Sequence, residues 1–447
     1  SGAPIPTPTI HGDLVLVGGG FRSKEFYAFN AQNGDLAWAL DLDDDGPSSA
    51  VAEDGVVVFN TESCTVFAVD AKTGKHLWSW WLGDPLTSTP AIANGRVFTS
   101  YPAGGHQGSH GAMNQLNSNH VMQQAVPHPV PQPAQVEIAG DDAVPSVPYT
   151  HVLAAFDLRT GKILWQRWID SDVMSAPVAS GNEVIAATFS GTVYKFDQRT
   201  GKILSARRSR ATSAPVVAGR NMYFTQRADN GAPGQAAEAV VGQDNESGGT
   251  HYRGEAKTAR YLESDVQERA DYKAESQSND AANGFGGGAP PAANSQAAAG
   301  NIGQGNVSSM QAFQGSRILN RGADNYATMG DEVVCTDAKT GKKRWSRKLD
   351  GDLEKQGGFL GTSPAAAGDS LFVATLDGSV LRIDADTGKV VKTYKVGSQV
   401  RSQPAIMNGR LYVGTTDGKL VVIDTGERSL TGWSTWGGDA QHSGTVD

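Results

Sequence analysis

The sequence predicts an all-β fold, a single β-propeller of four-stranded antiparallel blades, on three observations. One phrase recurs: residues 70–78 read DAKTGKHLW, residues 337–345 read DAKTGKKRW, and looser copies begin at Asn30, Asp157, Asp197, Asp384 and Asp424. From Asn30 to Asp70, Asp157 to Asp197 and Asp384 to Asp424 the spacing is 40 residues, in the range of a four-stranded propeller blade. Ahead of many copies, a stretch of small residues and proline runs through a turn into an apolar strand, as in STPAIANGRVFTS, SAPVASGNEVIAAT and SQPAIMNGRLYVGT.

Each element of the repeat has a local cause. Proline is tolerated where a strand begins, so Pro90, Pro177, Pro215, Pro364 and Pro404 mark the starts of inner strands A. In the last complete unit, strand A is QPAIM, the turn NGR leads to strand B LYVGT, and the turn TDG leads to strand C KLVVID. The phrase then makes the C–D hairpin: its Asp carboxylate accepts N–H bonds from the turn, and its Gly supplies the positive φ that ends it. The repeat turns are thus Asp70, Gly74 and Trp78; Asp157, Gly161 and Trp165; Asp337, Gly341 and Trp345. The tryptophans fall at one place on strand D, where a large ring can pack on the next blade while its N–H finds a partner. A helical reading fails because the apolar runs are short and interrupted by glycine.

Composition agrees and excludes several classes. Among 447 residues, 54 are glycine, 19% are charged and 39% are hydrophobic, which suits many short strands joined by tight turns. A formal net charge of −9 opposes a grip on nucleic-acid phosphates or anionic lipid. No apolar run is long enough for a membrane-spanning helix. With Cys64 and Cys335 alone, neither a disulfide scaffold nor a cysteine-rich metal site is available. The chain opens at Ser1 rather than methionine, compatible with a removed leader or with membrane or surface association through a lipid anchor.

The phrase, with its S-x-P-A-V-type strands, resembles the pyrroloquinoline-quinone repeat family, shared by quinoprotein dehydrogenases and by non-catalytic propellers of outer-membrane assembly. The resemblance implies a propeller over residues 1–447. Seven blades follow from the seven copies, with eight as the alternative because the family commonly closes with eight. Ser205 and Lys392 stand where the family has Trp, implying looser contacts there. The tail, residues 432–447, contains GWSTWGGDAQHSG, which also resembles a family segment and is expected to complete an outer strand or seal the ring.

Two stretches break the period. Residues 101–149, rich in His, Gln, Asn and Pro, are read as the B–C loop of the third blade, and residues 227–331 as that of the fifth. A smaller excess, residues 350–361, joins a strand D to the next strand A. In a meander the B–C and D–A connections share one face, so all three decorate that face, where binding function tends to reside.

Quinoprotein dehydrogenases, by the resemblance, would show an adjacent Cys-Cys pair and a calcium site; here no such pair exists. His106, His110, His120 and His128 are the only metal candidates, and the Gly-rich context of HQGSH suits a solvated loop better than a helix-borne metal pair. The repeated Asp residues are explained by the turn without metal. The expectation is therefore a bacterial propeller, periplasmic, outer-membrane-associated or secreted, with no catalytic, cofactor or metal residues. It would bind protein partners through the B–C/D–A face; the alternatives are a sensor using the central channel and a degenerate quinoprotein.

Overall fold

The computed structural model describes residues 4–20, 23–42, 44–61, 65–82, 89–103, 124–125, 139–140, 149–228, 235–261, 318–356 and 359–446. Its strands form eight sheets in chain order, over residues 9–41, 51–81, 91–169, 178–208, 216–253, 318–348, 365–395 and 405–424. The strands of each blade run antiparallel from an inner strand A outward. Inner strands of most successive blades approach one another, and strand A of blade 1 meets strand A of blade 8, so the ring is closed. The fold is an eight-bladed propeller, with one four-residue helical turn, Leu353–Gln356, among the described residues.

The leading count of seven is corrected to eight by the region 227–331, which is not one B–C loop. Strand B of blade 5, Asn221–Arg227, pairs with Gln235–Asp244, and that strand with Thr250–Arg253 and Lys257–Tyr261. Ile318–Arg321 then opens a separate blade 6. An eighth copy of the phrase lies at residues 244–252, with Ser247 for Thr and Tyr252 for Trp. It folds alike because the hydroxyl and the aromatic ring are what the turn uses: Asp244 Oδ1 accepts from Ser247 N at 2.7 Å and from Ser247 Oγ at 2.8 Å. Residues 262–317 lie outside the described residues.

Most C–D turns are built alike, and those of blades 2, 3, 4, 6 and 7 are covered by an aromatic ring of the preceding blade. Asp70 Oδ1 accepts from the N–H of Lys72 and Thr73 and from Thr73 Oγ1, at 3.1, 2.8 and 2.7 Å. Asp157 and Asp337 do the same with Thr160 and Thr340. The turn glycine, at positive φ, lies flat against an aromatic ring: a Cβ on Gly161 would sit 2.6 Å from Trp78 Cδ2, and on Gly201 2.5 Å from Trp165 Cδ2. The indole N–H of Trp78 donates to Leu158 O, of Trp165 to Gln198 O and of Trp345 to Ala385 O, each at 2.9 Å. Rings also stack between sheets, as Phe26 on Phe59 at 4.1 Å, and such pairs add roughly 0.5–1.5 kcal/mol beyond area burial.

Among the described residues blade 8 has three strands, Ala405–Met407, Arg410–Gly414 and Leu420–Asp424. The tail does not supply a fourth. It runs along the inner strands, taking N–H bonds from Ile406 to Trp433 O, Ile10 to Ser434 O, Ile92 to Ala440 O and Asn320 to Gly444 O, at 2.7–2.8 Å. Thr445–Val446 pairs parallel to strand A of blade 6. Trp433 and Trp436 are buried in this belt, and Trp436 stacks on His442 at 3.6 Å.

Candidate interaction surface

The face carrying the B–C and D–A connections is built unevenly. In blade 3, strand B, Arg96–Pro102, pairs with strand C, His151–Asp157, up to the pair Pro102 and His151. The chain between them therefore leaves and returns at adjacent points. On the way it touches both neighbours: Gln124 and Ala125 run parallel to Trp80 and Trp81 on the outer strand of blade 2, and Ala139 and Gly140 parallel to Arg207 and Arg208 on that of blade 4. One excursion thus spans three blades. Further round, the helical turn Leu353–Gln356 packs beside Lys257–Tyr261, and Lys257 pairs with Glu332.

Between blades 3 and 4 lies a buried polar layer. Ser100 Oγ donates to Asp172 Oδ1 at 2.5 Å, and Val173 N–H donates to the same oxygen at 2.8 Å. Thr192 Oγ1 donates to Asp170 Oδ2 at 2.5 Å, and Ser190 Oγ to Ser171 Oγ at 2.8 Å. Burial pushes the Asp170 carboxyl above its ordinary range, against the pull of the Thr192 hydroxyl. Burial also lowers His151, against the field of Asp172. These groups tie the D–A connection of blade 3 to the B–C turn of blade 4. Ser100 is fully buried and donates to a carboxylate.

The residues singled out from the sequence are distributed round the other rim. Asp70, Gly74, Asp157, Gly161, Asp337 and Gly341 occupy separate C–D turns, and Trp78, Trp165 and Trp345 the strands D that grip the next turn. The Thr340 hydroxyl and N–H, with Arg344, pull Asp337 down to about 2, so its charge belongs to the turn. His106, His110, His120, His128 and Cys64 lie outside the described residues. Cys335 is buried opposite Trp345, and burial pushes its thiol up to about 12. Among the described residues no cluster of three His, Cys, Asp or Glu side chains could hold a metal ion. No helix there is long and apolar enough to cross a membrane. Sequence reasoning missed Asp170 and Asp172; their place in WIDSD at a D–A connection was the one available signal.

Comparison with known proteins bears on the family. A family model described as outer membrane protein assembly factor BamB matches residues 22–248 and 296–434, most of the chain. The chain belongs to this family. The BamB of Yersinia pestis is 29% identical over 177 residues, 36% of this chain and 43% of that protein. The putative dehydrogenase XoxF of Paracoccus denitrificans is 28% identical over 127 residues, 25% of this chain and 21% of that protein. The chain thus spans less than half the length of these two relatives. The crystal structure of BamB from Moraxella catarrhalis superimposes with a TM-score of 0.56 at 16% identity, over 93% of both chains. That likeness concerns the fold.

Proposed function

We propose that this chain is a non-catalytic scaffold for the assembly of outer-membrane proteins, acting outside the bacterial cytoplasm and docking its partner through the B–C/D–A face. The observation that carries the reading is the excursion of blade 3, whose backbone pairs with the outer strands of blades 2 and 4. It ties three blades together on this face, while the opposite rim carries short turns of one design. Family membership supports the assembly role. The channel-sensor reading is weaker, because the tail bonds along the inner strands of blades 1, 3, 6 and 8 and buries two tryptophans there. A quinoprotein reading lacks the adjacent cysteine pair.

Because Pro102 pairs with His151, replacing residues 104–148 by a short Gly-containing hairpin keeps the blade 3 ladder intact. The trimmed chain is expected to fold with an unchanged circular-dichroism spectrum and to stop co-purifying with outer-membrane assembly proteins of its host. Undiminished co-purification would refute the assignment of this face.

A further inference from the structure

A net charge of −9, from 38 basic and 47 acidic residues, conceals one strongly basic stretch of the outer wall. The outer strand of blade 6, Lys343–Lys348, carries Lys343, Arg344, Arg347 and Lys348, with Lys342 just ahead of it. That of blade 7, Val390–Lys395, carries Lys392 and Lys395, with Lys389 just ahead. Neither stretch contains an acid. The two adjoin, since Arg347 Nε donates to Gly388 O at 2.8 Å and Lys389 follows directly on that contact. By contrast, the outer strands of blades 1 and 2, Leu36–Asp41 and His76–Trp81, hold no Lys or Arg. On blade 4, Arg207 and Arg208 already pair with Ala139 and Gly140.

Nearby carboxylates neutralise part of this charge. Arg344 meets Asp324 at 2.7 Å and Asp337 at 2.9 Å, Lys348 meets Asp331 at 3.4 Å, and Lys395 meets Asp377 at 3.9 Å. Asp386 is exposed in the adjoining turn. Lys342, Lys343, Lys389 and Lys392 are exposed and have no ion pair among the described residues. Lys392 lies over the Tyr394 ring at 4.9 Å. Burial, and after it the field of Lys343, push Lys257 below its ordinary value, so the charge is felt as far as the blade 5 sheet.

The blade 7 edge is also open to hydrogen bonding. Val396 N–H donates to Gly378 O at 2.9 Å. By alternation, Lys392 and Tyr394 bond inward to strand C, and Thr393 and Lys395 turn their N–H and C=O groups outward. Among the described residues no strand pairs with Val390–Lys395 on that side. Val390 and Val391, 40% and 59% exposed, stand between the lysines. The outer strands of blades 2 and 4 show that such an edge accepts a further strand. Blunting a free edge accounts for a lysine or two, but not for eight cations on two neighbouring blades.

We propose that this wall docks an extended acidic segment of a partner protein, paired along Val390–Lys395 with its carboxylates among the lysines of blades 6 and 7. Main-chain bonds supply affinity, and the cations select the partner. An anionic bilayer would use the charge alone and leave the edge unpaired, and a second copy would set lysine against lysine. The wall lies apart from the B–C/D–A face, so the two assignments can fail separately.

The probe is a labelled peptide of alternating glutamate and valine, with alternating lysine and valine as its control. Fluorescence anisotropy should show saturable binding of the acidic peptide alone, weakened as salt rises from about 0.1 M to about 1 M and the Debye length falls from about 10 Å to about 3 Å. Amide hydrogen exchange at Thr393 and Lys395 should slow on adding it. The chain carrying Lys389→Glu, Lys392→Glu and Lys395→Glu should bind about tenfold or more weakly. Lys72→Glu, Lys75→Glu and Lys162→Glu together, an equal change of charge in the turns of blades 2 and 3, should leave binding unaltered. Absence of saturable binding, equal weakening by the two triple variants, or slow exchange at Thr393 and Lys395 before any peptide is added would each overturn the proposal. Binding to phosphatidylglycerol vesicles but not to the peptide would assign the wall to a membrane and overturn it, as would self-association abolished by the blade 7 variant. The exchange measurement uses the unaltered chain and stands whether or not the variants fold.

Discussion

Two matched glycine substitutions isolate the inter-blade grip. Gly34 and Gly201 sit at the same place in C–D turns of one design, at φ of 79° and 67°. Alanine at either position bears the left-handed backbone penalty of about 1–2 kcal/mol. At Gly34 nothing else changes, because the space beyond it is empty within 4 Å. At Gly201 the new methyl would lie 2.5 Å from Trp165 Cδ2, and that indole has little room to retreat. It is packed between Phe98 and Phe196, with centroids at 5.9 and 6.0 Å, and tethered by its N–H to Gln198 O. Forcing one methyl into such a contact costs a further 1–3 kcal/mol, roughly. Gly201→Ala should therefore lower stability by about 2–5 kcal/mol and Gly34→Ala by about 1–2 kcal/mol, measured as urea midpoints with tryptophan fluorescence as the probe. Equal shifts would mean that the indole does not press on the turn, and the account of blade-to-blade locking would be wrong.

Other outcomes follow from the same geometry. Trp436→Ala, at a position 2% exposed and stacked on His442, should cost roughly 3–5 kcal/mol in thermal or urea unfolding; an unchanged midpoint would show that the tail does not lock the ring. Burial lowers His11, His76 and His151 below their ordinary 6.5. The unfolded chain then binds more protons, so stability is complete above that value and declines as pH falls through it; a melting temperature that rises on going from about pH 7.5 to 5.5 would contradict this. The turn carboxylates act in a lower window: Asp337 is held down to about 2, so its contribution is present above the ordinary 3.8 and is lost as pH falls toward 2. Asp337→Asn should flatten that acid limb of the stability curve, and an unaltered limb would place the loss elsewhere.

The propeller was legible because its turn chemistry is written in letters: an Asp to accept, a Thr to brace, a Gly at positive φ and a Trp at the same remove. Blade 5 escaped because Ser247 and Tyr252 keep the chemistry while changing the letters, and because residues 262–317 separate it from blade 6. A pattern that accepted either hydroxyl and either large aromatic finds it. The belt formed by the tail was not legible in detail, since its bonds along the ring are accepted by backbone carbonyls such as Trp433 O and Ala440 O, which any residue supplies.

Site-specific photo-cross-linking in the native cell tests the central claim most directly. A cross-linker at Asp352 or Lys355, exposed on the B–C/D–A face, is compared with one at Lys72 or Lys339, exposed in the C–D turns of the opposite rim. The account expects adducts with an outer-membrane assembly protein from Asp352 and Lys355 and none from Lys72 and Lys339. Adducts with that partner from the turn rim alone would contradict it.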